Sequence, residues 1–329
     1  MKRRSDIDLP SATRLINSLC DIAHGTNELE ALRTSRSSAK LRKAIRSHDD
    51  KVIFSWLMRT FSYQGLSDRA VEQYIEENGN ADYTGIEASL SDGDCEKLEG
   101  FWKFQRCGYE KTKHTCSCRS KIVTCPLPKL PLRNGRLNQL AYSLFFFLRD
   151  IANGDLVTFL DQIIETLPNQ ATTREVHLSL VPPWRSIFGI SDKVITMALA
   201  TLLMSASLAK PKWRTAGSAL IVVDTLVHNF LQRTGIDGLL GTQHLYGPKC
   251  YQAGGCFDII GAIAEHVDAR RFNSDFPAYF PRFVQFAVWK YCSQSHWNIC
   301  NGNQIDDKAR CSNGSCYLCD DCKRHVLKG

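Results

Sequence analysis

Apolar residues recur three and four positions apart through most of the chain, the spacing of one helix face. Val52, Ile53, Trp56, Leu57 and Phe61 predict a buried helix ending near Ser62. A second helix is predicted over 68–77, closed by Asn78-Gly79-Asn80. The segment 137–151 is strongly apolar around Phe145-Phe146-Phe147 and predicts a buried helix. Leu156, Phe159, Leu160, Ile163, Ile164 and Leu167 mark an amphipathic one. Pro182-Pro183 interrupts the pattern, which resumes as a buried helix over 193–207. After a polar, basic stretch at 208–218, helical patterning returns over 219–233, 257–267 and 283–291. No segment sustains an alternation of period two and no internal repeat is visible, so the expected fold class is all-α.

Charge changes this picture in one place. The chain carries 41 Lys and Arg against 34 Asp and Glu, a formal charge of +7. From Lys103 to Arg136 there are nine basic residues and one acid, Glu110, so this stretch alone accounts for the excess. Basicity confined to one stretch suits a polyanionic partner, or else a solvated loop. The uncharged apolar segment Met197–Ala209 is too short to cross a bilayer. The opening Met1-Lys2-Arg3-Arg4-Ser5-Asp6 has no apolar core behind it, so neither a signal peptide nor a membrane partner is expected. The expected location is intracellular: cytoplasm or nucleoid, or the nucleus in a eukaryote.

Fourteen cysteines need a purpose. Without an export signal, close-set cysteines read as metal or cluster ligands. His114, Cys116, Cys118 and Cys125, with Cys107 as an alternate, sit within 19 positions and suit a structural zinc ion; unligated loop thiols are the alternative. Cys250 and Cys256 form a pair. Cys292, Cys300, Cys311, Cys316, Cys319 and Cys322 crowd the C-terminal end. There Cys316-x-x-Cys319 has the form of a zinc half-site.

Two short motifs carry chemistry. In Ile187-Phe188-Gly189-Ile190-Ser191-Asp192-Lys193 a glycine turn runs directly into an apolar helix, which leaves backbone N–H groups free to hold a phosphate. Lys193 falls in the first helical turn, where the macrodipole favours the neutral, nucleophilic amine; a solvated lysine is the plainer alternative. In Ala219-Leu220-Ile221-Val222-Val223-Asp224-Thr225 the carboxylate follows an apolar run and opens a helix. Asp224 either caps that helix or stabilises a developing positive charge.

Taken together, Gly-Ile-x-x-Lys before a helix, then Val-Asp-Thr and a downstream arginine, resemble the helix-hairpin-helix DNA glycosylases, in the branch of endonuclease III and adenine glycosylase. Three further segments match in the same order: Ser62-Tyr63-Gln64, Leu132-Arg133-Asn134-Gly135-Arg136, and Lys308-Ala309-Arg310-Cys311 followed by Cys316 and Cys322. The resemblance covers most of 50–322. The chain departs from the family pattern at Ser191, which replaces a hairpin glycine, and at Val194. It also carries basic insertions at 91–129 and 208–217 and has spare cysteines.

The resemblance implies a two-domain helical fold with an active-site cleft between the domains. A segment 1–49 would pack with the C-terminal domain, a helical barrel with the hairpin would span 50–217, and a C-terminal domain with the cysteine cluster would span 218–329. It implies a monomer acting on double-stranded DNA in base excision repair. Lys193 would be the Schiff-base nucleophile and Asp224 the catalytic carboxylate, with plain glycosylase activity as the outcome if Lys193 only binds phosphate. Leu132 would wedge into the duplex and Gln64 would fill the gap left by the flipped base. Arg133, Asn134, Gly189 and Ser191 would contact DNA. Cys300, Cys311, Cys316 and Cys322 would hold a 4Fe–4S cluster, with Cys292 and Cys319 as alternates and zinc as the alternative metal. Two competing readings are a DNA lesion-binding protein that keeps the fold without cutting, and a zinc-bearing interaction protein whose likeness is coincidental.

Overall fold

A computed structural model describes residues 7–23, 36–62, 68–91, 93–130, 132–133, 135–206, 210–240, 243–314 and 316–327. Helix makes up 58% of the chain, and the described residues hold a single sheet of two short strands, so the mostly helical class is observed. The chain divides into two compact units. The flanking unit comprises 1–34, 169–177 and 210–329; the inner unit, inner in sequence, comprises 35–168 and 178–209.

The flanking unit opens with α1 (Leu9–Ala23). The inner unit then follows with α2 (Arg36–Ser47), α3 (Asp50–Ser62), α4 (Asp68–Asn78), α5 (Tyr83–Leu90) and α6 (Phe101–Phe104). A hairpin of β1 (Tyr109–Glu110) and β2 (Thr115–Cys116) precedes α7 (Asn138–Phe146) and α8 (Leu156–Glu165). After α9 (Thr173–Leu180) come α10 (Asp192–Ser205), α11 (Pro211–Ala219), α12 (Thr225–Thr234), α13 (Cys256–Ala264) and α14 (Pro281–Cys292).

The inner unit is built around aromatics. Phe54, Phe61, Phe145, Phe146, Phe147 and Trp184 are fully buried. Phe147 and Trp184 have ring centroids 4.7 Å apart, and Tyr83 meets Phe145 at the same distance. α3 packs on α5, α7 and α10, which explains the apolar face read from Ile53, Leu57 and Phe61. α2 belongs here, because Leu41, Ala44 and Ile45 are buried and it packs on α3 and α10. The expectation that all of 1–49 packs with the C-terminal part therefore holds for α1 and not for α2.

The start of α8 stores a pH-dependent contribution. Asp50 is buried and accepts the Leu156 N–H at 3.1 Å, while Asp155 caps the same helix through Thr158 N–H. Burial pushes the Asp50 carboxyl up to about 6, against the opposing pull of the Leu156 hydrogen bond. A carboxyl raised in the folded state stabilises the fold below its unfolded pKa of about 4, and that contribution is lost as pH rises through about 6. Asp50→Asn keeps an acceptor and removes the charge. It is expected to flatten this decline and to stabilise the protein by about 2 kcal/mol at pH 7, measured by urea unfolding from pH 4 to 7.

In the flanking unit α1, α11, α12 and α13 pack against α14. α1 buries Leu15, Ile16, Leu19 and Cys20. The sequence pattern predicted one helix over 219–233, but the chain runs extended through Ile221-Val222-Val223 and re-enters helix at Thr225. Three β-branched residues in a row favour extended backbone, and Asp224 then starts the helix. The polar stretch at 208–218 contains a helix of its own. It begins with Pro211 at its first position and buries Trp213 and Ala216, which places 210–217 in the flanking unit and not with the barrel as expected.

Candidate functional site

Helix α12 carries much of the chemistry of the flanking unit. Asp224 stands at its N-terminus in extended backbone, and its carboxylate accepts the Val227 N–H at 2.9 Å. The side chain is half-buried. One turn on, His228 is buried. Two turns on, the side chain of Arg233 is only 3% exposed.

Around His228 the chain assembles four metal-competent donors. One ligand atom each of His228, His244, Cys250 and Cys256 lies within 4.8 Å of the others. Cys256 Sγ is 3.2 Å from His228 Nδ1 and 3.4 Å from His244 Nε2, and Cys250 Sγ is 3.6 Å from His228 Nδ1. Among the described residues this is the one group of three or more His, Cys, Asp or Glu donors spaced for a single ion. The two thiols are hydrogen-bonded to each other. The Cys256 hydrogen bond pulls Cys250 down to about 4, and the same bond, with burial, pushes Cys256 up.

The loop bearing Cys250 is held independently of the donors. Arg174 donates to the carbonyls of Tyr251 and Gln252 and to the carboxylate of Asp258, which in turn accepts the Gly254 N–H at 2.7 Å. The Tyr251 hydroxyl accepts the Val223 N–H at 2.9 Å, which ties the loop to the residue before Asp224. Gly255 lets the loop close on α13: a Cβ there would stand 2.2 Å from the Lys249 carbonyl oxygen and 2.8 Å from that of Cys250. Both are backbone atoms and cannot give way cheaply. Gly255→Ala is expected to destabilise the protein by about 2–3 kcal/mol in chemical denaturation.

The C-terminal thiols behave differently. Cys300, Cys311, Cys316 and Cys322 all border one small pocket, partly open to solvent, together with Phe230, Arg233, Tyr291 and Leu318. Among the described residues they do not form a group spaced for a single ion. Tyr291 Oη and Cys316 Sγ are 3.1 Å apart, and Cys322 Sγ approaches the Arg233 carbonyl at 3.8 Å. Arg233 pairs with Asp307 and also hydrogen-bonds the Cys300 thiol. Of the two alternates, Cys292 is fully buried at the end of α14 and hydrogen-bonded to Cys300, and neither it nor Cys319 borders the cavity.

In the inner unit the insertion gathers its thiols in part. Cys116 and Cys125 are hydrogen-bonded, and charge on Cys116, Cys125 and Cys95 adds to the burial that raises Cys107 to about 11. His114 is turned elsewhere. It faces Gly135, where a Cβ would meet its Nε2 at 2.0 Å, and its ring lies edge-on to Tyr109. The Cys118 thiol rests on Ser120 at 3.4 Å. Of the expected set, Cys107, Cys116 and Cys125 thus lie near one another, with Cys95 close by and His114 turned away, but among the described residues they do not form a group spaced for one ion.

Gly189 adopts φ +78°, a left-handed turn suited to glycine, and the Phe188 N–H beside it donates to Ser143 Oγ at 3.2 Å. Ser191 is the N-cap of α10 in extended backbone, and Asp192 pairs with Arg185 at 2.7 Å. Lys193 follows, half-buried, in the first turn. Leu132, expected as a wedge, is buried at 5% exposure, as a packed loop leucine would be. Arg133 has φ +48° and donates to the Ser62 carbonyl at 3.3 Å, and its N–H bonds Tyr74 Oη. Gln64 and Asn134 lie outside the described residues.

The His228 group was missed from sequence. Cys250 and Cys256 stood out as a pair, but His244-x5-Cys250-x5-Cys256 is not a familiar zinc spacing, and the fourth donor comes from a helix 16 positions upstream. No helix among the described residues is long and apolar enough to cross a membrane. Comparison of the chain with protein-family models, curated proteins and solved structures finds no match, so any functional reading rests on the residues and geometry above.

Proposed function

We propose that the chain is a helix-hairpin-helix type DNA glycosylase with abasic-site lyase activity, bearing a 4Fe–4S cluster on Cys300, Cys311, Cys316 and Cys322. The observation that carries the reading is the cavity of the C-terminal segment. The three thiols that the family resemblance singles out, Cys311, Cys316 and Cys322, border it together with Cys300, the fourth choice, beside the buried Arg233 guanidinium. A multi-atom anionic cluster needs thiolates held apart and a nearby positive charge, whereas a single zinc needs donors drawn within bonding distance of one point. When bound, the cluster supplies a rigid cross-link among these thiolates.

In this reading Lys193 Nζ attacks C1′ of the target sugar, and the base departs with a proton. The C1′–O4′ bond then opens, O4′ taking a proton, to give the protonated imine; loss of a proton from C2′ expels the 3′ phosphate and nicks the strand. The Asp224 carboxylate stabilises positive charge on the sugar as the glycosidic bond breaks. The backbone N–H groups after Gly189 hold a phosphate at the start of α10. Borohydride trapping of wild-type protein on duplexes bearing uracil, oxidised pyrimidines, adenine mispairs or methylated bases tests this. A trapped adduct supports it, and absence of both adduct and base release on every duplex removes it.

A second reading, lesion binding without cutting, is favoured by two observations. Leu132 is packed inside, and Asp224 is committed to capping its own helix.

Both readings use the basic stretch. Lys103, Lys113 and Lys121 are paired with Glu99, Glu110 and Asp94, but Lys111, Arg119 and Lys129 make no ion pair among the described residues, and all three are exposed. Replacing these three by alanine is expected to weaken duplex binding regardless of sequence. It should also flatten the slope of log affinity against log salt by up to about 3, as titrations at several salt concentrations would show.

A further inference from the structure

We propose that His228, His244, Cys250 and Cys256 bind one Zn²⁺ as a closed, tetrahedral structural site that locks the 243–256 loop to α12 and so fixes the backbone around Asp224. The inference does not depend on the glycosylase reading and concerns a different set of residues from the C-terminal cysteines.

The donor set decides the metal. Two thiolates and two imidazoles are the ligands of a closed structural zinc site, whereas magnesium and calcium require oxygen. Bond lengths of about 2.3 Å to sulfur and about 2.0 Å to nitrogen place tetrahedral donors roughly 3.3–3.8 Å apart. Three nitrogen–sulfur separations in the site, 3.2, 3.4 and 3.6 Å, lie at or close to that interval. Three of the four donors are buried and His244 is half-buried, so no open face is left for a substrate, which argues against a catalytic ion. The protein prepares the site before any ion arrives. The Arg174 clamp and the close approach at Gly255 fix the loop, and Cys256 is set at the first position of α13.

The ion would join two routes to one carboxylate. His228 lies four residues beyond Asp224 on α12. Cys250 is followed by Tyr251, whose hydroxyl holds Val223 immediately before Asp224. A ligand bond at each end of this circuit makes the start of α12 rigid. Tyr246, in the same loop, is 44% exposed, and its ring lies 5.7 Å from that of His228.

Metal analysis of the full chain, purified without added metal, tests the site. Wild type is expected to carry one zinc that Cys256→Ser and Cys250→Ser each lose, while iron content at the C-terminal cysteines is unchanged. His244→Cys should retain zinc. Its cobalt-substituted form should show stronger sulfur-to-cobalt absorption than cobalt-substituted wild type, because a third thiolate replaces an imidazole. Removing zinc from wild type with a chelator should speed hydrogen exchange at the amides of Val223 and Val227, which the Tyr251 hydroxyl and the Asp224 carboxylate hold. Zinc retained in both serine variants overturns the proposal. So does wild type that lacks zinc and carries a Cys250–Cys256 disulfide. If the serine variants do not fold, the wild-type zinc content and the His244→Cys cobalt spectrum still decide. Unchanged exchange at Val223 and Val227 after zinc removal would overturn the claim that the ion fixes Asp224.

Discussion

Asp224→Asn is expected to slow base release by about 10²–10³-fold on any duplex that wild type processes. The substitution isolates charge from structure. Asparagine caps a helix about as well as aspartate, so the Val227 N–H keeps its acceptor and α12 keeps its start. What is lost, if the chain is a glycosylase, is a fixed negative charge where the sugar would become cationic. Asp224→Ala removes the cap as well and should cost about a further 1 kcal/mol of stability. A mere capping role predicts the opposite ranking: Asn like wild type in activity, Ala reduced in stability alone. Lys193→Gln adds the second half of the test. It should abolish borohydride trapping while leaving duplex binding measurable, and base release without nicking in that variant would mean that water takes the place of the amine. If wild type releases no base and Asp224→Asn binds duplex as tightly as wild type, lesion binding without cutting is the surviving reading.

The helices were legible because their apolar faces are wide. Ile53, Leu57 and Phe61 or Leu156, Leu160 and Ile164 announce a buried stripe that no other period explains. The Gly189 turn was legible for the same local reason, since a left-handed φ before a helix start is a single-residue signal. What sequence could not supply is which distant donors meet. His228 reads as one more polar residue on α12 until the 243–256 loop folds back onto it. His114 lies two residues from Cys116 in sequence and yet turns to Gly135, because a residue at φ +55° beside a two-residue hairpin points away from the thiol cluster. Leu132 fails in a related way. An apolar loop residue is as well suited to burial as to wedging, and only packing tells them apart. The C-terminal thiols were readable because all four come from one short segment, where sequence order nearly dictates proximity.

Cys316→Ala is expected to abolish visible absorbance and to release the C-terminal segment from the flanking unit. From Ser293 to Leu327 the described chain forms no helix or strand, and its buried apolar side chains are Ile305, Leu318 and Leu327. So few buried groups cannot offset the ordering of so long a segment, and structureless stretches of this length persist in compact domains when something staples them. Beyond the first turn after α14, where the Trp297 and Ile299 N–H groups reach the Lys290 and Tyr291 carbonyls and Asn301 reaches that of Cys292 at 2.6 Å, the direct tethers are few: the Lys323 and His325 N–H groups to the Thr234 and Arg233 carbonyls, and the Arg233–Asp307 ion pair. Ligation by four cysteines spread over 300–322 would supply the missing staple. In the substituted protein limited proteolysis should cut within 298–327 at protease levels that leave wild type intact, while fragments containing α1 and α14 persist, since their mutual packing does not involve the segment. Cys319→Ala is the control. Its thiol does not border the cavity, so absorbance and protease resistance should match wild type. Equal sensitivity of the two variants would mean that the segment is held by its loop contacts alone. Colourless wild-type protein with zinc at these cysteines would replace the cluster by an ion and require the four thiols to close in on one point.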